Sequence, residues 1–318
     1  MKTKKFSLTL ALTFGLVYLL LPLSTINASN DQLSAIEPKN EIKVNNFSVF
    51  KYQDGRIQGI DAPEKLTDPQ KTNILKLMNF NEQEIEKMDT QFKDLLLKDG
   101  GIKVDTVTTD KVHIYTDLNG KDHIVTDKNR EEINKLRQEE LKKSNGEVSP
   151  LGVNDGIYSG YGTSVYKGKT SNGVEYIYTY HNRFYFNERP NYTYVDTIGH
   201  SWQTNATPKN STGEYYVQNL ALRSDFGFKS IDQSSLTGTK AEVDLRALTG
   251  QHIGTLTTEV RIPVSDQGKT AAFASAYAHA HTNNLINMAL GVAGITFGSQ
   301  PGDKWGWRDS FKIGPPAP

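Results

Sequence analysis

From Leu151 onward the side chains of this chain reverse direction at every residue, and that two-residue period limits the possible fold more than any other feature. In Thr270 to His281, Phe273, Ser275, Tyr277, His279 and His281 share one face, while Ala272, Ala274, Ala276, Ala278 and Ala280 share the other. Strands alternate in this way and helices do not. Similar β-branched and aromatic runs, separated by turn residues, occur at Ser164 to Tyr166, Glu175 to Phe186, Tyr192 to Ile198, Tyr215 to Leu222, Ala241 to Leu245, Gly254 to Pro263 and Leu285 to Ile295. Short strands without helical spacing between them predict an antiparallel β-sandwich over 150–318, not a helix-crossed parallel sheet.

Before that boundary the period is helical. Thr67-Asp68-Pro69-Gln70 reads as a capping box opening a helix with Ile74, Leu75 and Met78 on one face, and Asn81-Glu82-Gln83-Glu84 opens a second. A third turn with Phe92, Leu95 and Leu96 stops at Gly100-Gly101. Asn119-Gly120 then predicts a hairpin between Lys111 to Thr116 and Lys121 to Thr126, with Ile114 opposite Val125 and Thr116 opposite His123 if the loop has two residues. Asp127 is placed to cap a charged helix over about Lys128 to Lys143, polar enough to read as a connector. The expected class is therefore α+β, with a flexible spacer over 29–66, a helical and hairpin region over 67–149 and the sandwich over 150–318.

Met1 to Ala28 has the three-part pattern of a secretory signal: Lys2, Lys4 and Lys5, an apolar run from Leu8 to Leu23, and a small-residue exit. A secreted, extracellular location is expected, with a retained membrane anchor as the alternative. The chain has no cysteine, which excludes thiol catalysis, cysteine-ligated zinc and disulfides, and suits a Gram-positive exported protein. Beyond the signal, 33 basic residues (36 less the three signal lysines) meet 36 acidic ones, so no nucleic-acid partner is implied.

Few constellations carry chemistry. Gly199-His200-Ser201-Trp202-Gln203 begins like a nucleophile elbow, but the second glycine is absent and Ala206-Thr207-Pro208 cannot supply the following helix. His279 and His281 project side by side on one strand face and are the candidate metal ligands, although no third ligand has a recognisable spacing. Asp117-Leu118-Asn119-Gly120 would place Tyr115 and Thr126 at key positions of a calcium loop, where neither fits. No acid pair marks glycosidase chemistry. What remains is an excess of rings, from which Tyr178, Tyr180, Trp202, Trp305 and Trp307 are the candidate contact residues for sugars or protein partners.

The stretch Asn73 to Met88, followed by Gly100-Gly101, resembles a helical segment of uncharacterised secreted proteins of bacilli and related Gram-positive bacteria. Those proteins usually have glycine where this chain has Asn79. Arg189-Pro190 to Trp202 is similar to a strand pair in the same proteins. The resemblance implies origin and compartment, and brings no catalytic residue with it.

The expected function is a non-enzymatic binding or interaction protein at the cell surface or in the medium. Its partner would be a cell-wall glycan or an envelope protein, and no cofactor is implied. A pore-forming toxin is one alternative, using Thr270 to His281 and the segment around Ile286 to Val292 as an inserting hairpin. A hydrolase with an unrecognised site is the other. Membrane association after signal cleavage is not expected.

Overall fold

A computed structural model describes residues 40–145, 158–220 and 222–316. The expected signal segment and most of the expected boundary between the helical region and the sandwich lie outside the described residues. Residues 40–66, expected as spacer, hold a hairpin of β1 (Asn40–Val44) and β2 (Phe47–Lys51). Asn45 and Asn46 turn it with φ of 45° and 66°. A two-residue hairpin turn of type I′ needs two successive left-handed residues, and asparagine tolerates that region. Val44, Val49, Ile57 and Leu66 are buried with the helices that follow.

Helices α1 (Asp68–Leu77) and α2 (Glu82–Glu86) begin at the expected capping boxes of Thr67 with Gln70 and Asn81 with Glu84. Asp89 caps α3 (Thr90–Asp99) by accepting from the Phe92 N–H at 3.0 Å. Ile74, Leu75, Phe92 and Leu96 fill the core of this layer. After the helix stop at Gly100, β3 (Ile102–Lys103) begins the passage into the sheets.

The expected hairpin forms from β4 (Val107–Thr116) and β5 (Asp122–Ile124), in a register one residue away from a two-residue loop: Ile114 faces Ile124 and Thr116 faces Asp122. Asp117 sets the longer turn, its Oδ1 accepting from the N–H groups of Asn119 and Lys121 at 2.9 Å each. Helix α4 (Arg130–Asn145) starts later than expected. Asn129 Oδ1 accepts from the Thr126 N–H at 2.7 Å, while Asp127 pairs with Arg130. The helix is more than a connector: Ile133, Arg137, Glu140 and Leu141 are buried, with Ile133 packed on Tyr115 and Val125.

The remaining strands are β6 (Tyr158–Lys169), β7 (Glu175–Phe186), β8 (Val195–Trp202), β9 (Thr207–Asn219), β10 (Leu222–Asp225), β11 (Ser230–Asp232), β12 (Gly238–Asp244), β13 (Gln251–Pro263), β14 (Thr270–Ala280), β15 (Met288–Gly291), β16 (Gly294–Phe297) and β17 (Gly302–Lys312). They form an antiparallel six-stranded sheet, β10-β9-β13-β7-β6-β3, and an antiparallel seven-stranded sheet, β11-β12-β8-β14-β17-β4-β5. Strands on the N-terminal side of the expected boundary thus complete both sheets.

Alternation explains the filling. Tyr176, Tyr178 and Tyr180 of β7 enter the sandwich interior with Trp202, Phe273 and Phe311. Further along β7, His181 and Arg183 belong to the alternate, outward-facing set, but the helical layer covers them. Phe92 lies edge-on to His181 at 5.6 Å between centroids, and the Arg183 guanidinium sits 4.7 Å from the Phe92 ring centre and pairs with Asp89. β7 is therefore buried on both faces, which is why its outward residues do not read as a solvent face.

β14 lies within its sheet, paired to β8 on one side and β17 on the other. Its alanine face receives the β15–β16 hairpin, where Ile286 and Met288 pack on Ala276, Ala278 and Ala280. The segment expected as one strand, Leu285 to Ile295, contains this fold-back and does not pair with β14. Among the described residues no helix is long and apolar enough to cross a membrane.

Candidate functional site

The two sheets end unevenly. The six-stranded sheet closes at β6, beyond which β3 pairs only with Val165 and Tyr166. The opposite sheet continues past β17 through β4 and β5. Part of the inner face of β17 and β4 is left without a covering strand, and a cleft of about 750 Å³ opens there. Trp305, Trp307, His113, Lys111, Tyr158 and Gly160 line it, with Thr126, Asp127 and Arg130 at its rim.

On its floor the pairing of β17 with β4 places His113 opposite Trp305 and Lys111 opposite Trp307. Trp305 has ring neighbours already: Tyr158 stacks on it at 3.8 Å and 16°, and His113 at 4.8 Å and 23°. Trp307 is half-buried, stacks on no ring among the described residues, and its Nε1 has no hydrogen-bond partner there. The Tyr158 hydroxyl is likewise unpartnered. A Cβ at position 160 would come 2.4 Å from that hydroxyl and 2.8 Å from the Trp307 ring, so glycine is what lets β6 lie this close. Asp309 of β17 accepts from Thr108 Oγ1 at 2.6 Å, and burial raises its carboxyl above the ordinary range.

Behind His113 lies a buried polar cluster. Asp303 is held well below the usual carboxylate range: burial opposes ionisation, but Arg137 of α4, His113 and His281 outweigh it. His113 Nε2 is 2.7 Å from Asp303 Oδ1, and His281 Nε2 is 3.2 Å from Oδ2. Asp196 accepts from the Tyr277 hydroxyl at 2.5 Å and the Ala280 N–H at 2.9 Å, and lies 2.8 Å from His279 Nδ1. Burial would lower the His279 pKa, yet Asp196 leaves it raised, whereas burial keeps that of His281 lowered despite Asp303. These contacts tie α4, β4, β8, β14 and β17 together.

The sequence candidates therefore separate. Trp305 and Trp307 come together in the cleft. Tyr178, Tyr180 and Trp202 are wholly buried, and Trp202 Nε1 donates to the Leu236 carbonyl at 2.9 Å. His279 and His281 each engage a different carboxylate, and among the described residues no group of three or more histidine or acidic side chains is arranged to hold a metal. His200 and Ser201 lie within β8, both fully buried: His200 Nε2 is 2.7 Å from Thr258 Oγ1, and Ser201 donates to the Gly294 carbonyl at 3.1 Å. Asp117 is occupied by its own turn and by His123 at 3.0 Å.

Sequence reasoning missed Lys111, His113 and Gly160 as parts of one site. The only local signal was the alternation of glycine with other residues in Tyr158-Ser159-Gly160-Tyr161-Gly162, which marks close backbone approach.

No protein-family model matches the chain, and no curated protein does. Among solved structures, one that matches is the collagen-binding subdomain ACE19 of the Enterococcus faecalis surface protein ACE. The likeness has a TM-score of 0.25 and 7% identity, over 38% of this chain and 82% of that one. At that level it assigns this chain neither ligand nor activity.

Proposed function

We propose that this is an extracellular, non-enzymatic binding protein that takes its ligand in the cleft between β6 and β17. The observation that carries the reading is Trp307: a half-buried indole with an unpartnered Nε1, beside Lys111, in the uncovered stretch of the seven-stranded sheet. A buried donor left unsatisfied costs about 1–3 kcal/mol, and a ligand recovers that penalty once the ring turns its Nε1, closed to solvent here, toward the cleft. Aromatic rings with a polar edge are efficient contact surfaces for sugars and proteins alike.

The hydrolase alternative would rest on His113, which reaches the cleft with Asp303 behind it. No hydroxyl is hydrogen-bonded to that imidazole among the described residues, and its ring is stacked on Trp305. It lacks the activated nucleophile that such chemistry needs.

The test is a tryptophan-fluorescence titration of the chain from Ser29 onward, with soluble cell-wall glycan fragments and with purified envelope proteins. A saturable change that disappears in Trp307→Ala is expected with one of the two. No change with either overturns the proposal.

A further inference from the structure

The geometry points to a more specific occupant, on the premise that the cleft is a binding site: an extended peptide segment of a partner protein, carrying an acidic side chain and pairing with the free edge of β6. The direction of the backbone groups supplies the argument. The Ser164 carbonyl faces away from β7, since it accepts from the Val104 N–H on the β3 side at 2.9 Å. Successive residues of a strand alternate in this respect, and the β6–β7 register is unbroken from Tyr158 to Tyr166. Gly162, Gly160 and Tyr158 therefore aim their N–H and C=O groups the same way, past the point where β3 ends.

No partner for these groups is present among the described residues. The edge continues the line begun by β3, which runs antiparallel to β6, and a peptide entering in that sense would extend the ladder by about five residues, roughly 17 Å. An open edge of this kind is a template for an added strand. Alternate side chains of such a strand would turn toward the cleft floor, onto Trp307 and Lys111.

Charge selects the side chain. Arg130, at the rim, pairs with Asp127, whereas Lys111 forms no salt bridge among the described residues and acts on Asp309 of the same cleft only through its charge. An acidic residue in the added strand would meet that ammonium beside the Trp307 ring. A glycan could use the ring and the cation but not the ladder.

The experiment is selection of a displayed random dodecapeptide library on the immobilised chain from Ser29 onward, with the Lys111→Glu, Trp307→Ala double variant as counter-target. Enriched peptides are then synthesised. We expect alternating sequences with an acidic residue and micromolar binding. Methylation of one alternate set of peptide amide nitrogens should weaken binding at least tenfold, and methylation of the other set should leave it within twofold. Equal sensitivity of both sets, or no enrichment, overturns the inference. Saturable glycan binding without peptide enrichment overturns it too, while sustaining the cleft as a binding site. Dimerisation through β6, detected by light scattering, would replace the partner peptide by a second copy and so overturn it. Failure of glycan, protein and peptide alike removes both proposals.

Discussion

Lys111 and Trp307 face each other directly across the β4–β17 pair, so a cation and an unpartnered indole N–H sit on adjacent strands in the same uncovered stretch of sheet. Because Trp307 is half-buried, Trp307→Ala should cost about 1–2 kcal/mol in urea unfolding. Trp202→Ala, which empties the sandwich interior and strands the Leu236 carbonyl, should cost about 3–5 kcal/mol. Equal losses would show that Trp307 is core.

Gly160→Ala should destabilise by about 1–3 kcal/mol and alter the tryptophan emission, because its methyl group must displace Tyr158 and Trp307. Gly173→Ala is the contrast: its φ of 72° gives strain, but nothing lies within 4 Å of the new atom. That variant should cost about 1 kcal/mol and leave the emission unchanged.

How much of this was legible follows from where each determinant lies in the chain. The caps of α1, α2 and α3 are local, and Thr67, Asn81 and the Gly100 stop were readable. The bounds of β7, Glu175–Phe186, follow from a run of rings and β-branched residues and agree with the expected segment. The hairpin register was not readable, because the Asp117 side chain rather than Asn119-Gly120 alone sets the turn. Strand β17 was missed although its tryptophans were noted, since Lys304, Arg308 and Asp309 obscure its alternation; Lys304 and Asp309 are buried polar residues with partners on β4. The cleft arises where strands distant in sequence fail to cover one another, and no local pattern encodes that.

Asp89→Ala should be among the most destabilising changes outside the sandwich, at about 3–5 kcal/mol. It removes the α3 cap and leaves the buried Arg183 guanidinium without its carboxylate. Asp89→Ala combined with Arg183→Met should recover part of the loss, as read by the urea midpoint. No recovery would separate the two residues energetically.

Acid should destabilise the fold well above the carboxylate range. Burial lowers His181 and His200 to about 3, helped by the charge of Lys167 on the former and of His181 on the latter. An unfolded histidine titrates near 6.5, so between that pH and about 3 the unfolded chain holds more protons and stability falls as pH drops. Each residue contributes a slope of about 1.4 kcal/mol per pH unit in the window. The measurement is urea unfolding at intervals from pH 7 to pH 4; His200→Gln should flatten the dependence by about half of the two-histidine share.

Asn79 carries a φ of 70° just after α1, and its amide donates to Asp105 at 2.9 Å. Asn79→Gly should be within about 0.5 kcal/mol of the parent, relieving the backbone while losing that bond. Asn79→Ala should cost about 1–2 kcal/mol, as it keeps the strain and loses the bond. Thermal midpoints in that order check the account.

The placement of β17 between β14 and β4 carries a consequence for how the molecule assembles. Lys304 Nζ contacts Thr116 across a separation of 188 residues, and β4 and β5 join their sheet only through Gly302–Lys312. Contacts so remote along the chain close slowly. A polypeptide made N-terminus first would keep β4 and β5 apart from their sheet until residues 302–312 had emerged, postponing maturation to the last stretch of the chain.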